Sequence, residues 1–200
     1  MTEFPWTTAQ TLAAERFSLV WTKLRAFELE EYNKVILIDS DMLVRKNMDE
    51  LMDLSLDGTD SSKPGIAASF ACSCNPRKVA SYPDSWIPAN CPFTPQTHPS
   101  SLTIPPIKIT SSSPENHRLI NSGLVVLQPQ KAVMDEMIHQ IQNDPEVPAM
   151  RFPDQDFLAK FYRDRVTPLP WIYNALKTLR ACHTNLWRDE EVKNVHYILE

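Results

Sequence analysis

The 200-residue chain predicts an α/β fold built as a single domain. Three observations carry that prediction. Helix-periodic and strand-like apolar segments alternate along the chain. The run Lys34-Val-Ile-Leu-Ile-Asp39 is continuously apolar and ends in acid, as strands buried on both faces of a parallel sheet do. A hydrophobic fraction of 42% with 22% charged residues fits a soluble domain with a sizeable core.

Taken in order, residues from Thr8 to Glu31 place Ala13, Phe17, Val20, Trp21, Leu24 and Phe27 at helical spacing, which predicts a long amphipathic helix with a break near Ser18. The strand Val35–Ile38 follows. Asn47-Met-Asp-Glu-Leu-Met-Asp-Leu then reads as a short helix capped by Asn47. From about 57 to 118 Ser, Thr and Pro dominate. This stretch predicts an inserted excursion too poor in apolar residues to form a second core, with a strand near Ile66–Phe70 and a loosely structured tip from Thr94 to Asn116. Leu119-Ile-Asn-Ser-Gly-Leu-Val-Val-Leu-Gln resumes as a strand interrupted by Gly123. Lys131 to Asn143 is helix-periodic, and Asp154 opens another helix with Phe157, Leu158 and Phe161 on one face. A proline-punctuated turn, Leu169-Pro-Trp-Ile-Tyr-Asn, leads into Ala175–Arg180, and a strand from Val192 to Leu199 comes last.

Composition narrows the chemistry. Three glycines stand against seventeen prolines, and Gly58, Gly65 and Gly123 lie far apart. Glycine-rich phosphate-cradling loops cannot be written with them, so a nucleotide would have to be held by other means, such as a metal. A net charge of −5 argues against a nucleic-acid binder. No apolar run reaches the ~20 residues of a membrane span, and the N-terminus lacks a signal pattern, so a cytoplasmic location is the default expectation. The four cysteines are too few and scattered for a disulfide scaffold, which points to a reduced chain. Cys72-x-Cys74 with Cys91 lacks the second paired ligand set of a structural zinc site, so the sequence argues against zinc.

Candidate site residues lie at strand and helix ends. Asp39-Ser40-Asp41 follows directly on the apolar strand, where open α/β sheets place ligands. Two carboxylates one residue apart can share one hard cation, or divide a metal and a ribose between them; a solvated acidic turn is the plainer alternative. In Asn121-Ser122-Gly123 the glycine marks a close approach or a bulge, and the amide suits sugar hydroxyls. Asp154-Gln155-Asp156 either complements a helix dipole or faces a ligand. His196, within a strand, is a core histidine or a metal ligand. Lys23 and Arg16 sit about two turns apart on the first predicted helix, facing phosphate or solvent.

These pieces occur in an order that resembles the family 8 glycosyltransferases, the group containing glycogenin and galactinol synthase. The resemblance is carried by Thr22-Lys23-Leu24, by Glu31 through Val44, by Asn47-Met-Asp-Glu-Leu51, and then by Asn121-Ser122-Gly123-Leu124, Asp154-Gln155, Ile172-Tyr173-Asn174 and Val195-His196-Tyr197. It covers nearly the whole chain outside the excursion and looks most like fungal members. It implies a GT-A fold over residues 1–200 with the insertion at about 57–118. It also implies a UDP-linked donor such as UDP-glucose or UDP-galactose, Mn²⁺ or Mg²⁺ as cofactor, and transfer with retention.

By the same resemblance Asp39 would contact ribose and metal, with Ser40 beside it, and Asp41 and His196 would complete the metal ligands. Asn121, Ser122 and Gly123 would hold the donor sugar, Asp154, Gln155 and Lys23 would be the catalytic residues beside the reacting carbon, with Asp154 favouring its cationic character, and Arg16 would lie near the diphosphate. The acceptor is left open, and a homodimer is compatible with the reading. Relative to the family, an opening uracil-binding strand and a closing lysine-proline-tryptophan segment have no counterpart, so the chain reads as truncated at both ends. Glycogenin's glucosylated tyrosine is also absent, since Leu179-Arg180-Ala181-Cys182 stands in its place, which favours a separate acceptor. The alternatives are a catalytically impaired GT-A remnant acting as an interaction protein and a haloacid-dehalogenase-like phosphatase with Asp39 as nucleophile. The latter is opposed by Leu43, which stands where that class has Thr or Val, and by the lack of a late paired acidic motif.

Overall fold

A computed structural model of the protein describes residues 20–56, 64–103, 107, 109–110 and 112–198. Arg16, the first part of the predicted N-terminal helix and Leu199 lie outside the described residues.

Among the described residues seven strands form two sheets. The larger contains β1 (Val35–Ile38), β3 (Ile66–Phe70), β4 (Ile120–Leu127) and β5 (Val166–Leu169), in the order β1-β4-β3-β5. Strand β4 runs antiparallel to both neighbours, while β3 and β5 are parallel. The smaller sheet has the order β2-β7-β6, from β2 (Met42–Val44), β6 (Ala175–Leu176) and β7 (Asn194–His196).

Side chains of the larger sheet alternate between two cores, as strand geometry requires. From β4, Leu124 and Val126 enter one cluster with Met48, Phe93, Trp171 and Leu186, whereas Val125 and Leu127 enter the other with Trp21, Phe27, Met134 and Phe157. Strand β1 divides likewise, Ile36 to the first and Val35 and Leu37 to the second. This two-sided packing explains its continuous apolar run. The expectation that β1 lies in a parallel environment is wrong: its partner is β4, antiparallel. Burial on two faces produces the same apolar run whichever way the neighbouring strand points.

On the second core lie α1 (Lys131–Asn143) and α2 (Pro153–Phe161). Helix α1 spans the predicted residues and buries Val133, Met134, Met137 and Ile141. Beside them Val20–Glu28 is a 3₁₀ helix rather than the predicted α-helix. Its large apolar residues Trp21, Leu24 and Phe27 recur every three residues, the spacing that gives one stripe on a three-residue turn. Trp21 meets Phe157 edge-on at 5.8 Å between ring centres, and Phe27 stacks on Tyr162 at 6.1 Å.

The predicted Asn47 cap is not formed: the cap position of the helix Asp49–Asp53 falls on Met48, which makes no side-chain cap bond, and Asn47 lies one residue earlier, where its Oδ1 accepts the Asp49 N–H at 2.8 Å. The short helix α3 (Lys177–Cys182) follows β6. The excursion contributes β3 and several 3₁₀ turns, and it is tied down more firmly than its composition suggests. Cys91 and Phe93 are buried in the first core, and Trp171 Nε1 donates to Ser101 Oγ at 3.3 Å. Buried amides replace missing apolar surface: Asn116 Nδ2 donates to Ser85 O at 2.8 Å, and Gln96 Nε2 to Pro92 O at 2.9 Å. No helix among the described residues is long and apolar enough to cross a membrane.

Candidate active site

Strand direction assembles the site. Because β4 is antiparallel to β1, its first residues come alongside the last residue of β1. Ile38 pairs with Leu124, and the Asp39 N–H donates to Gly123 O at 2.8 Å. The Asp39–Asp41 turn then passes directly into β2, whose Met42 pairs with His196 of β7. Residues more than 150 positions apart in sequence thus meet at one point. The facing atoms of Asp39, Asp41 and His196 lie within 4.8 Å of one another, and His196 Nε2 is 3.2 Å from Asp41 Oδ1. Ser40 is exposed in the turn between the carboxylates.

A relay of hydrogen bonds fixes the histidine. The Gly123 backbone N–H can only donate, so the Asn121 side-chain atom that receives it at 3.0 Å is the carbonyl oxygen. That oxygen also accepts Asn174 Nδ2 at 2.8 Å, which turns Asn174 Oδ1 towards His196 Nδ1 at 2.8 Å. Nδ1 therefore carries the proton. Burial lowers the His196 pKa against the opposing pull of Asp41 and Asp39, favouring the neutral ring. In that tautomer Nε2 presents a lone pair to a carboxylate oxygen. Two carboxylates and one imidazole lone pair gathered at this separation could hold a divalent metal ion. Asn174 was absent from the sequence-derived candidates; its only sequence signal is its place in the ordered Ile172-Tyr173-Asn174 string.

Lys23 organises the other side. Its Nζ lies 2.9 Å from Asp39 Oδ1 and 2.8 Å from Asp154 Oδ2. Burial alone would lower the lysine pKa, but Asp154 and Asp39 outweigh it and raise the value above the usual lysine range. Asp154, only 7% exposed, also accepts Ser122 Oγ at 2.8 Å. Gln155 Oε1 accepts Asn121 Nδ2 at 3.2 Å. The helix-terminus role weighed for this acidic triplet falls to Asp156, whose Oδ2 accepts the N–H groups of Arg151 and Phe152 at 3.0 Å each. Asp154 and Gln155 are left to face the site. Among the described residues, Lys23, Asp39, Asp41, Asn121, Ser122, Gly123, Asp154, Gln155 and His196 meet in one constellation. A separate groove of about 510 Å³, lined by Leu43, Arg45, Lys177, Arg180, Trp187 and Tyr197 among others, follows β2 and β7 without including His196 or the carboxylates of the Asp39–Asp41 turn.

The fold is that of the GT-A glycosyltransferases. The galactosyltransferase LgtC, solved with donor and acceptor sugar analogues, superposes with a TM-score of 0.57 at 18% identity, over 91% of this chain and 59% of that one. Mouse xyloside xylosyltransferase 1 gives 0.52 at 16%, over 96% and 67%. By sequence the chain is homologous to galactinol synthases. It is 29% identical over 177 residues to galactinol synthase 7 of Arabidopsis thaliana, covering 88% of this chain and 48% of that protein. To galactinol synthase 1 of Ajuga reptans it is 28% identical over 179 residues, covering 88% and 47%. The chain thus spans about half the length of these relatives. No protein-family model matches it.

Proposed function

We propose that the chain is a metal-dependent retaining glycosyltransferase that moves a hexosyl group from a UDP-sugar to a separate acceptor. The observation that carries this reading is the His196 relay, which presents an imidazole lone pair to Asp41 beside Asp39. The relatives are galactinol synthases and one structural neighbour is a galactosyltransferase, which favours UDP-galactose over UDP-glucose.

Asp39, Asp41 and His196 would hold Mn²⁺ or Mg²⁺, which when bound neutralises charge growing on the leaving diphosphate. Asp39 would also reach the ribose. Asp154 sets a buried negative charge beside Asn121 and Gln155, where it favours a sugar carbon that becomes cationic as its bond to phosphate breaks. Lys23 bridges Asp39 and Asp154, so the donor-side and sugar-side carboxylates keep a fixed separation. Retention fits a reaction on one face of the sugar in which the leaving phosphate takes the acceptor proton, and this requires no further base from the chain.

Calorimetric titration with UDP tests the proposal. Affinity should appear with Mn²⁺ present and vanish with EDTA, and UDP-galactose with Mn²⁺ should release UDP. Metal-independent affinity, or none, would sink the proposal in favour of a GT-A remnant. Asn174→Ala should weaken Mn²⁺ binding by about 10- to 100-fold, the usual cost of losing the group that orients a metal-bound histidine. Electron paramagnetic resonance titration of free Mn²⁺ measures this. Asn174→Asp, which retains an acceptor for Nδ1, should recover part of the loss.

A further inference from the structure

The geometry points to a second metal centre, a structural zinc site of three cysteines and one histidine formed by Cys72, Cys74, Cys91 and His183. The facing sulfur and nitrogen atoms lie within 4.8 Å of one another. His183 Nε2 is 3.7 Å from Cys72 Sγ, 3.2 Å from Cys74 Sγ and 3.5 Å from Cys91 Sγ. Zinc–sulfur bonds of ~2.3 Å and zinc–nitrogen bonds of ~2.0 Å at tetrahedral angles hold S and N about 3.5 Å apart, so the three separations straddle the value a zinc ion imposes. Cys74, Cys91 and His183 are buried, and none of the four cysteines is in a disulfide.

The cluster has the form of a closed structural site. Its ligands come from three places in the fold: the segment leaving β3, the turn after the 3₁₀ helix Pro88–Asn90, and the residue after α3. A fourth ligand 109 residues beyond Cys74 supplies what the Cys72-x-Cys74 and Cys91 spacing lacks. The ring of Phe93 covers His183 at 6.0 Å between centres. Thiolate donors select zinc over Mn²⁺ or Mg²⁺, so this centre is chemically distinct from the Asp39–Asp41–His196 group. Binding releases the three thiol protons and clamps the start of the excursion to the end of α3. Because α3 follows β6, and β6 follows Asn174, the clamp also braces the segment that orients His196.

The full chain, produced in zinc-supplemented medium and desalted without chelator, should carry one zinc by elemental analysis. Asp41→Ala should carry the same single zinc, while Cys91→Ser and His183→Ala should lose it. If those two variants fail to fold, cobalt titration of the unaltered chain decides the matter. Three thiolates and an imidazole give an intense sulfur-to-cobalt charge-transfer band in the near ultraviolet and strong tetrahedral bands in the visible. Stripping the metal with a zinc-selective chelator should lower the melting temperature. A chain with less than half a zinc after equilibration, a cobalt spectrum without the thiolate band, or an intact mass showing a disulfide among these cysteines would each overturn the proposal.

Discussion

Asp41→Ala should cut Mn²⁺-dependent sugar transfer by about 10³-fold, the scale of loss when a principal electrostatic contributor to a transition state is removed. Asp41 is well suited to this test because little else depends on its side chain. The carboxylate is 38% exposed and its near neighbour is His196 Nε2, while its backbone oxygen keeps the Tyr197 N–H bond in any variant. Stability should therefore change by only about 0.5 kcal/mol, as at other surface positions. What is lost is one of the three proposed ligands, and Asp39 with His196 alone would form a poor divalent site. Raising Mn²⁺ should restore part of the rate, since the remaining pair still binds weakly. Rates of UDP release across a Mn²⁺ series, alongside a thermal melt, separate the two effects. A variant that turns over like the parent at low Mn²⁺ would remove Asp41 from the site.

The parts of the site legible in the sequence were those whose chemistry sits next to a strong local pattern. Asp39 and Asp41 follow an apolar strand and Asp154 lies in the first turn of an amphipathic helix, and both patterns survive in the fold, whereas the strand expected to be interrupted at Gly123 runs unbroken from Ile120 to Leu127. Elements β2, β5 and β6 were not predicted, because strands of two to four residues carry too few positions for any period to show. The direction of β1 was misread for a different reason: apolar continuity reports burial and says nothing of the neighbour's polarity.

Contacts between distant segments were the least legible. The Asn121–Asn174–His196 relay spans 75 residues, and its members are ordinary amides until the antiparallel β1–β4 pair and the β6–β7 pair bring them together. The cysteine cluster is legible only in part: Cys72, Cys74 and Cys91 stand out in the sequence, and His183, which joins them, does not. Zinc spacing rules expect two pairs of ligands close in sequence, whereas here His183 arrives alone from the end of α3. The serines and prolines predict a loosely structured tip from Thr94 to Asn116 within the excursion, yet Asn116 and Gln96 find backbone acceptors that apolar counting ignores.

Gly123→Ala should damage the site through contact rather than chemistry. A Cβ built on Gly123 would lie 2.4 Å from His196 Cε1, 2.8 Å from His196 Nδ1 and 2.7 Å from Met42 Cε. The backbone itself would accept alanine, because the φ of Gly123 is not in the left-handed region. Met42 can swing its terminal methyl aside. The imidazole cannot move as easily, since it is buried and its Nδ1 is held by Asn174. Nor can the strand, pinned by Asp39 N–H on Gly123 O and by Gly123 N–H on Asn121 Oδ1. Forcing a methyl group into such packing costs about 1–3 kcal/mol. Any relief must come from turning His196 away from Asp41, so Mn²⁺ affinity should fall by about 10- to 100-fold as well. A double-mutant cycle isolates the contact. His196→Ala removes the ring that alanine at 123 would strike, so in that background Gly123→Ala should cost much less stability than it does alone. Additive losses in denaturant melts would mean that the ring and the glycine do not share this space, and the close approach would no longer explain why position 123 needs a residue without a side chain.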